Sequence, residues 1–380
     1  MTTIFHRLRV SQTLTVLMLA LLTSGCEAEA PLAGHRLQIL AEGLDHPWAL
    51  AFLPDGSALV TERSGRLLRI DPDDGQRQAI GGVPAVAARG QGGLLDIALH
   101  PEFTRTRWVY LSYATATDSG LTTAVGRGRL EGTRLTEFEE LFRAQPPAEA
   151  DQHFGSRLLF DRAGHLLVTV GDRRQRNWAQ RLDTHAGKVL RLTADGGIPP
   201  DNPFVGQTGA LPEIYSYGHR NPQGLALHPE TGRVWLHEHG PRGGDEINLV
   251  VAGANYGWPL VTFGREYHGP TIGVEPPQPG FVSPLHHWTP SIAPSGLAFY
   301  SGEGFPEWRG DLFVGALVHR HLQRLRLRGG EVIAQEKLLT DQGWRIRDVR
   351  VGPDGYLYLL TDAADGVLAR LEPGPDQSRP

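Results

Sequence analysis

Short alternating apolar runs punctuated by turn residues recur along the chain, and no stretch carries the repeating three-to-four-residue spacing of a long amphipathic helix. Six segments look alike: residues 49–56 (ALAFLPDG), 97–101 (IALHP), 158–164 (LLFDRAG), 225–229 (LALHP), 297–301 (LAFYS) and 349–355 (VRVGPDG). Each leads into a second β-rich run, as in 58–61 (ALVT), 108–112 (WVYLS) and 166–170 (LLVTV). A short strand, a Pro/Asp/Gly turn and a second strand make a hairpin. The equivalent apolar positions 52, 99, 160, 227, 299 and 351 are spaced by 47, 61, 67, 72 and 52 residues. Such periods suit propeller blades, so the pattern predicts an all-β, six-bladed β-propeller with four-stranded antiparallel blades. A pair of β-sandwiches would leave six copies of one hairpin unexplained. No Gly/Ser linker divides the chain, so one propeller domain is expected over 37–372, after a linker at 27–36 and before a disordered tail at 373–380. Long insertions in a propeller gather on one face, which is where function is expected.

The N-terminus breaks this pattern. His6, Arg7 and Arg9 precede the apolar run 14–22 (LTVLMLALL), followed by Thr23, Ser24, Gly25 and Cys26. Basic, apolar and small-residue regions in that order form an export signal, and the run is too short to span a membrane. LTSGC resembles a lipoprotein signal, which would attach a lipid to Cys26 and so hold the protein at a membrane; ordinary cleavage after Ala28 or Ala30 is the alternative. The expected location is periplasmic or anchored to the outer membrane, with residues 1–26 as the signal segment.

Composition sharpens the picture in three places. The 47 Gly and 28 Pro among 380 residues are the punctuation of a turn-rich folded chain. A net charge of −5 argues against a nucleic-acid partner, and a single Cys allows no internal disulfide. Of the 37 basic residues all but two are arginine, the side chain whose planar fork suits carboxylates.

The interblade segments are dense with polar residues that a blade does not need: 90–96 (GQGGLLD), 151–157 (DQHFGSR), 171–174 (GDRR), 217–224 (YGHRNPQG), 237–248 (HEHGPRGGDEIN), 255–259 (NYGWP) and 345–348 (RIRD). Together, from about Leu44 to Leu371, they resemble the glucose/sorbosone dehydrogenase family, and within it the soluble aldose sugar dehydrogenases. The resemblance implies a propeller that uses pyrroloquinoline quinone (PQQ) and calcium to oxidise an aldose at its anomeric carbon to the lactone. PQQ is a planar tricarboxylate, which asks for fixed cationic forks and a hard cation. By resemblance Gln91, Arg220, Asn221, Arg345 and Arg347 hold the cofactor, and Tyr267 lines its edge. Strand alternation puts Arg345 and Arg347 on one face and Asp348 on the other.

His153 is the expected general base, taking the proton of the anomeric hydroxyl while hydride leaves the same carbon for the quinone. Imidazole titrates near neutrality, as that role requires. Asp172 matches the carboxylate that orients it. The resemblance assigns the carbonyls of Gly240 and Pro241 to a calcium ion that polarises the cofactor, and Glu246 with the Tyr256 carbonyl to a second, structural calcium. The pairs His237/His239 and His319/His321 have no third ligand at a zinc-like spacing and are assigned to structure.

One departure stands out. Where the family commonly has a cofactor-contacting Lys in GALK, this chain reads Gly315-Ala-Leu-Val318. Either His319 or Arg320 substitutes, or the cofactor is held more weakly. The expected partners are an aldose or aldehyde substrate and an external electron acceptor, with the protein a monomer or homodimer. Three alternatives remain: a calcium-dependent propeller lactonase or esterase, a non-catalytic sugar- or protein-binding propeller, and the same enzyme with sorbosone or another aldehyde or alcohol as donor.

Overall fold

The six repeat positions Phe52, Leu99, Phe160, Leu227, Phe299 and Val351 each end the first strand of a four-stranded antiparallel sheet. This is seen in a computed structural model, which describes Met1, residues 34–268 and residues 271–374. Residues 1–26, the signal segment with Cys26, lie outside the described residues apart from Met1, as does most of the tail.

Blade one runs Pro47–Phe52, Ala58–Glu62, Leu67–Ile70 and Arg77–Ile80, and the others repeat that meander. The hairpins follow from turn chemistry. In 53–57 the Asp55 carboxylate accepts from the Ser57 N–H at 3.1 Å and hydroxyl at 2.6 Å, while Gly56 takes a φ of 88° that disfavours other residues. Asp161 and Asp354 accept in the same way ahead of Gly164 and Gly355.

The first strands of the six sheets pack side by side around an axis. Each sheet buries both faces against its neighbours, so the core is divided into six layers, one per blade junction. That is why second strands such as Leu166–Val170 are buried along their whole length and read as unbroken apolar runs.

Closure was not legible in the repeat. Blade six takes Ile346–Val351, Leu357–Thr361 and Gly366–Pro373 from the C-terminus, and its outermost strand, His35–Leu44, from the N-terminus. The pairing runs from His35 opposite Pro373 to Leu44 opposite Gly366. The expected boundaries therefore shift: His35 and Arg36 belong to a strand, not a linker, and Pro373 belongs to a strand, not a tail. The physical reason is that strands from both ends of the chain in one sheet tie the ring of blades shut, a pairing no single repeat contains.

Register along the axis then sets what each strand contributes. Four residues before the repeat position stand Trp48, Leu95, Ser156, Gln223, Ser295 and Arg347; three before it stand Ala49, Asp96, Arg157, Gly224, Gly296 and Asp348. In five of the six first strands an irregularity in pairing falls at this point, a device that re-aims side chains.

Arg157 fills the second of these rings. Its guanidinium lies 3.3 Å from Asp96 and 3.0 Å from Asp348, over the Trp48 ring at 4.2 Å, and it donates to the carbonyls of Gln223, Ser295 and Arg347. One buried side chain thus touches every other blade. Arg350 completes the charge balance, 3.1 Å from Asp96 and 3.0 Å from Asp348. Ala49, Gly224 and Gly296 in the same ring are small.

Candidate active site

Above the Arg157 layer lies a cavity of about 240 Å³, whose wall includes Trp48, Arg63, Gln91, Asn221, Gln223, His239, Val318, Arg345, Arg347 and Asp362. Two repeat-equivalent sets build it. One is the first ring above: Trp48, Leu95, Gln223 and Arg347. The other is the residue that follows the second strand of a blade: Arg63, His239, Leu317 and Asp362.

A second cavity of about 240 Å³ is lined by His153, Asp172, Arg174, Arg176, Arg220, Pro241, Trp258, Glu266, Tyr267, His268 and Ile272. Chain neighbours straddle the two, with His153 on one wall beside Phe154 on the other, and Arg220 beside Asn221. The residues singled out in sequence divide accordingly. Gln91, Asn221, Arg345 and Arg347 face the axial cavity; His153, Asp172, Arg220, Tyr267 and Pro241 face the outer one.

His153 is held by two groups, Gln91 and Asp172. It sits at a φ of 55°, unusual for a residue with a side chain, and its N–H donates to Oε1 of Gln91 at 2.9 Å. Its Nδ1 lies 2.7 Å from Oδ1 of Asp172. Asp172 also accepts from the Arg174 N–H at 2.9 Å and from the Trp258 indole Nε1 at 2.8 Å. Burial alone would raise the Asp172 carboxyl, but the His153 hydrogen bond, the charges of His153 and Arg220 and the Arg174 N–H outweigh it and lower its pKa. An ionised Asp172 makes Nδ1–H the donor. Burial lowers the His153 pKa despite that hydrogen bond, so the ring is neutral near pH 7 and the Nε2 lone pair is free. A neutral imidazole with one nitrogen fixed and the other open is a competent proton acceptor.

Gly171 is required by this packing, because a Cβ there would stand 2.1 Å from the His153 carbonyl oxygen. Gln91 therefore serves the backbone of His153 as well as facing the axial cavity. Trp258 was not singled out as a single residue, though NYGWP was noted; only the fold brings it to Asp172.

Arg345 and Arg347 share Asp362, at 2.8 Å and 3.0 Å, and Asp348 faces the axial cluster, as alternation requires. Burial raises the Asp362 carboxyl, but the guanidiniums of Arg347, Arg345 and Arg63 bring its pKa down to about 2. Arg347 keeps a buried Nε without a partner. His319 and Arg320, one of the two alternatives offered for the missing Lys at 318, are exposed and lie outside the cavity wall, because they sit in the blade-five turn between its second and third strands.

Gly240, Glu246 and Tyr256 line a third, very small cavity together with Glu238, Gly218 and Thr262. The two buried carboxylates of Glu238 and Glu246 repel each other there, and burial with that repulsion raises Glu246 well above its usual range. Asn248 donates to Glu246 at 3.2 Å and has a buried Oδ1 without a partner. The Gly240 carbonyl accepts from Arg220 at 2.9 Å and the Pro241 carbonyl from the Tyr267 hydroxyl at 2.8 Å, which leaves each a second lone pair. Pro241 thus stands on a different wall from Gly240. His239, assigned to structure in sequence, is on the axial cavity wall; its Nε2 donates to the Pro294 carbonyl at 2.6 Å.

Comparison with known proteins agrees with this architecture. Residues 44–370 match the Glucose / Sorbosone dehydrogenase family. The chain is 47% identical over 343 residues to aldose sugar dehydrogenase YliI of Escherichia coli (strain K12), covering 89% of this chain and 92% of that one. A crystal structure of a glucose dehydrogenase superposes with a TM-score of 0.87 at 52% identity, over 88% of this chain and 99% of the other. The PQQ-bound form of an aldose sugar dehydrogenase from Streptomyces coelicolor gives 0.72 at 30% identity, over 90% of this chain and all of that one, 100%.

Proposed function

The chain belongs to the glucose/sorbosone dehydrogenase family, and we propose that it oxidises aldose sugars at the anomeric carbon to the lactone, with PQQ and calcium as cofactors. The observation that carries this reading is the His153–Asp172 pair facing one cavity beside a second whose wall presents Arg63, Arg345 and Arg347 against the single carboxylate of Asp362.

The residues present fit the cofactor. A planar tricarboxylate needs fixed cationic forks, and the unpartnered Nε of Arg347 supplies a donor that a carboxylate would satisfy. Gln91, Asn221, Arg345 and Arg347 would hold it from the axial side, with Arg220 and Tyr267 at its edge. When bound, the quinone supplies an electrophilic carbon that accepts hydride. His153 Nε2 takes the proton of the anomeric hydroxyl, and Asp172 stabilises the imidazolium that forms. Trp258 and the Arg174 N–H keep that carboxylate in place.

Calcium fits the third cavity on the chemistry of its donors: the two buried carboxylates of Glu238 and Glu246 and the backbone carbonyls on its wall suit a hard divalent ion. Glu246 and the Tyr256 carbonyl would hold it, joined by Glu238. The carbonyls of Gly240 and Pro241 would meet the cofactor-side ion through their second lone pairs. A calcium-dependent lactonase is less well supported, since such a site needs carboxylate ligands converging in the channel, and the Asp362 carboxylate is held by two arginines. Export through the N-terminal segment and lipid attachment at Cys26 remain part of the proposal.

The test is direct: purified protein is loaded with PQQ and calcium, and dye reduction is followed with a panel of aldoses and aldehydes. Reduction by one or more aldoses is expected. No reduction by any sugar or aldehyde would sink the dehydrogenase reading.

A further inference from the structure

Val318 leaves the axial cavity without the cation that the resemblance leads one to expect, and the fold brings another cation to the same wall. Arg63 is the first residue after the second strand of blade one, the register position that His239 holds in blade four and Asp362 in blade six. Its side chain shares the cavity wall with Val318, Arg345, Arg347 and Asp362.

Charge accounting isolates it. The Asp362 carboxylate is bonded to both Arg345 and Arg347, at 2.8 Å and 3.0 Å. Arg63 forms no ion pair among the described residues; its Nη1 reaches only the Gly90 carbonyl at 3.3 Å, and its Nε is buried with no partner. Arg347 has an unpartnered Nε on the same cavity. Three guanidiniums therefore face one carboxylate, and the remaining wall, including Trp48, Leu95, Phe154, Asn221 and Gln223, is uncharged. Partly buried guanidinium donors without acceptors are costly, and an anion entering the cavity would satisfy them.

We propose that Arg63 is a cofactor-binding residue, donating to a carboxylate of the tricarboxylate quinone and supplying the positive charge that Val318 does not. The assignment rests on the cofactor proposed above. It adds a residue that neither the motifs nor the resemblance singled out.

The experiment is calorimetric titration of PQQ into the full chain with calcium present. Arg63→Met is expected to bind PQQ about 10- to 100-fold more weakly than wild type, the loss typical of a charge-assisted hydrogen bond. Its apo melting temperature is expected to stay near wild type, since Arg63 makes one long contact. Val318→Lys is expected to raise PQQ affinity more in the Arg63→Met background than in wild type, a coupling that a merely structural role for Arg63 would not produce. Should Arg63→Met fail to fold, Arg63→Gln carries the same expectation. Wild-type binding with unchanged affinity in a folded Arg63 variant overturns this inference and leaves the proposed function standing. Absence of PQQ binding by wild type removes the proposed cofactor and this assignment with it.

Discussion

Nδ1 of His153 lies 2.7 Å from Oδ1 of Asp172, and the second oxygen of that carboxylate accepts from Trp258 at 2.8 Å, so the imidazole is fixed in orientation and tautomer before any substrate arrives. The base and its orienting acid come from the entry to blade three and the turn after its second strand, and the indole comes from the long insertion in blade four.

This pair fixes a pH dependence. Burial lowers the His153 pKa from its ordinary value near 6.5, so the ring stays a free base below that pH. The acid limb of kcat/KM is therefore expected below pH 6.5, because protonation removes the base. His153→Ala should lower kcat by ~100-fold or more with PQQ binding retained. Asp172→Asn removes the hydrogen bond that raises the His153 pKa, so its acid limb should move further down while the rate falls. A pH–rate profile with the acid limb above 6.5 in wild type would contradict the geometry.

Gly171 is expected to be intolerant. Its Cβ would meet the His153 carbonyl oxygen at 2.1 Å, so Gly171→Ala must push His153 off its anchor at Gln91. A shift of an ångström in a positioned base costs about 100-fold. Gly164→Ala is the control: its φ of 83° carries a backbone cost that Gly171 does not, yet open space surrounds it and it lies in the blade-three hairpin away from the His153 carbonyl. Steady-state kinetics of both should show the loss in Gly171→Ala alone.

Arg157→Met should be among the most destabilising substitutions in the chain. It leaves Asp96 and Asp348 buried with Arg350 as their remaining cation. Breaking a buried charge cluster from one side costs about 3–5 kcal/mol. Urea unfolding would read this as a fall in midpoint; a change under about 0.5 kcal/mol, the range of ordinary surface substitutions, would mean that the axial network does not hold the blades together.

Calcium should stabilise the protein through the third cavity. An ion bound only by the folded state at a hundred times its Kd adds about 2.7 kcal/mol, so melting in calcium should exceed melting in chelator. Glu246→Gln should abolish that difference. Identical melting of wild type with calcium and with chelator would remove the ion from this cavity.

The blades were legible because strand alternation and Asp/Gly turns are local, and Phe52, Leu99, Phe160, Leu227, Phe299 and Val351 marked the register in advance. Once that register is known, Arg63 and Asp362 are visible as the residues after second strands; the missing signal was which end of each hairpin faces the axis. His153 and Asp172 were named from the motifs, but the part played by Trp258 was not, since nothing local to NYGWP specifies a carboxylate from another blade.

The sequence by itself determined the blades, their number and the residue types of the site, because these depend on side-chain alternation, turn chemistry and short motifs within one hairpin. Tertiary structure alone decided that His35–Leu44 closes blade six, that Arg157 joins the blades at the axis, and that Arg63 stands unpaired beside Val318. Each of these is a meeting of segments distant in the chain, and such meetings are set by the closing of the ring, which no local pattern encodes.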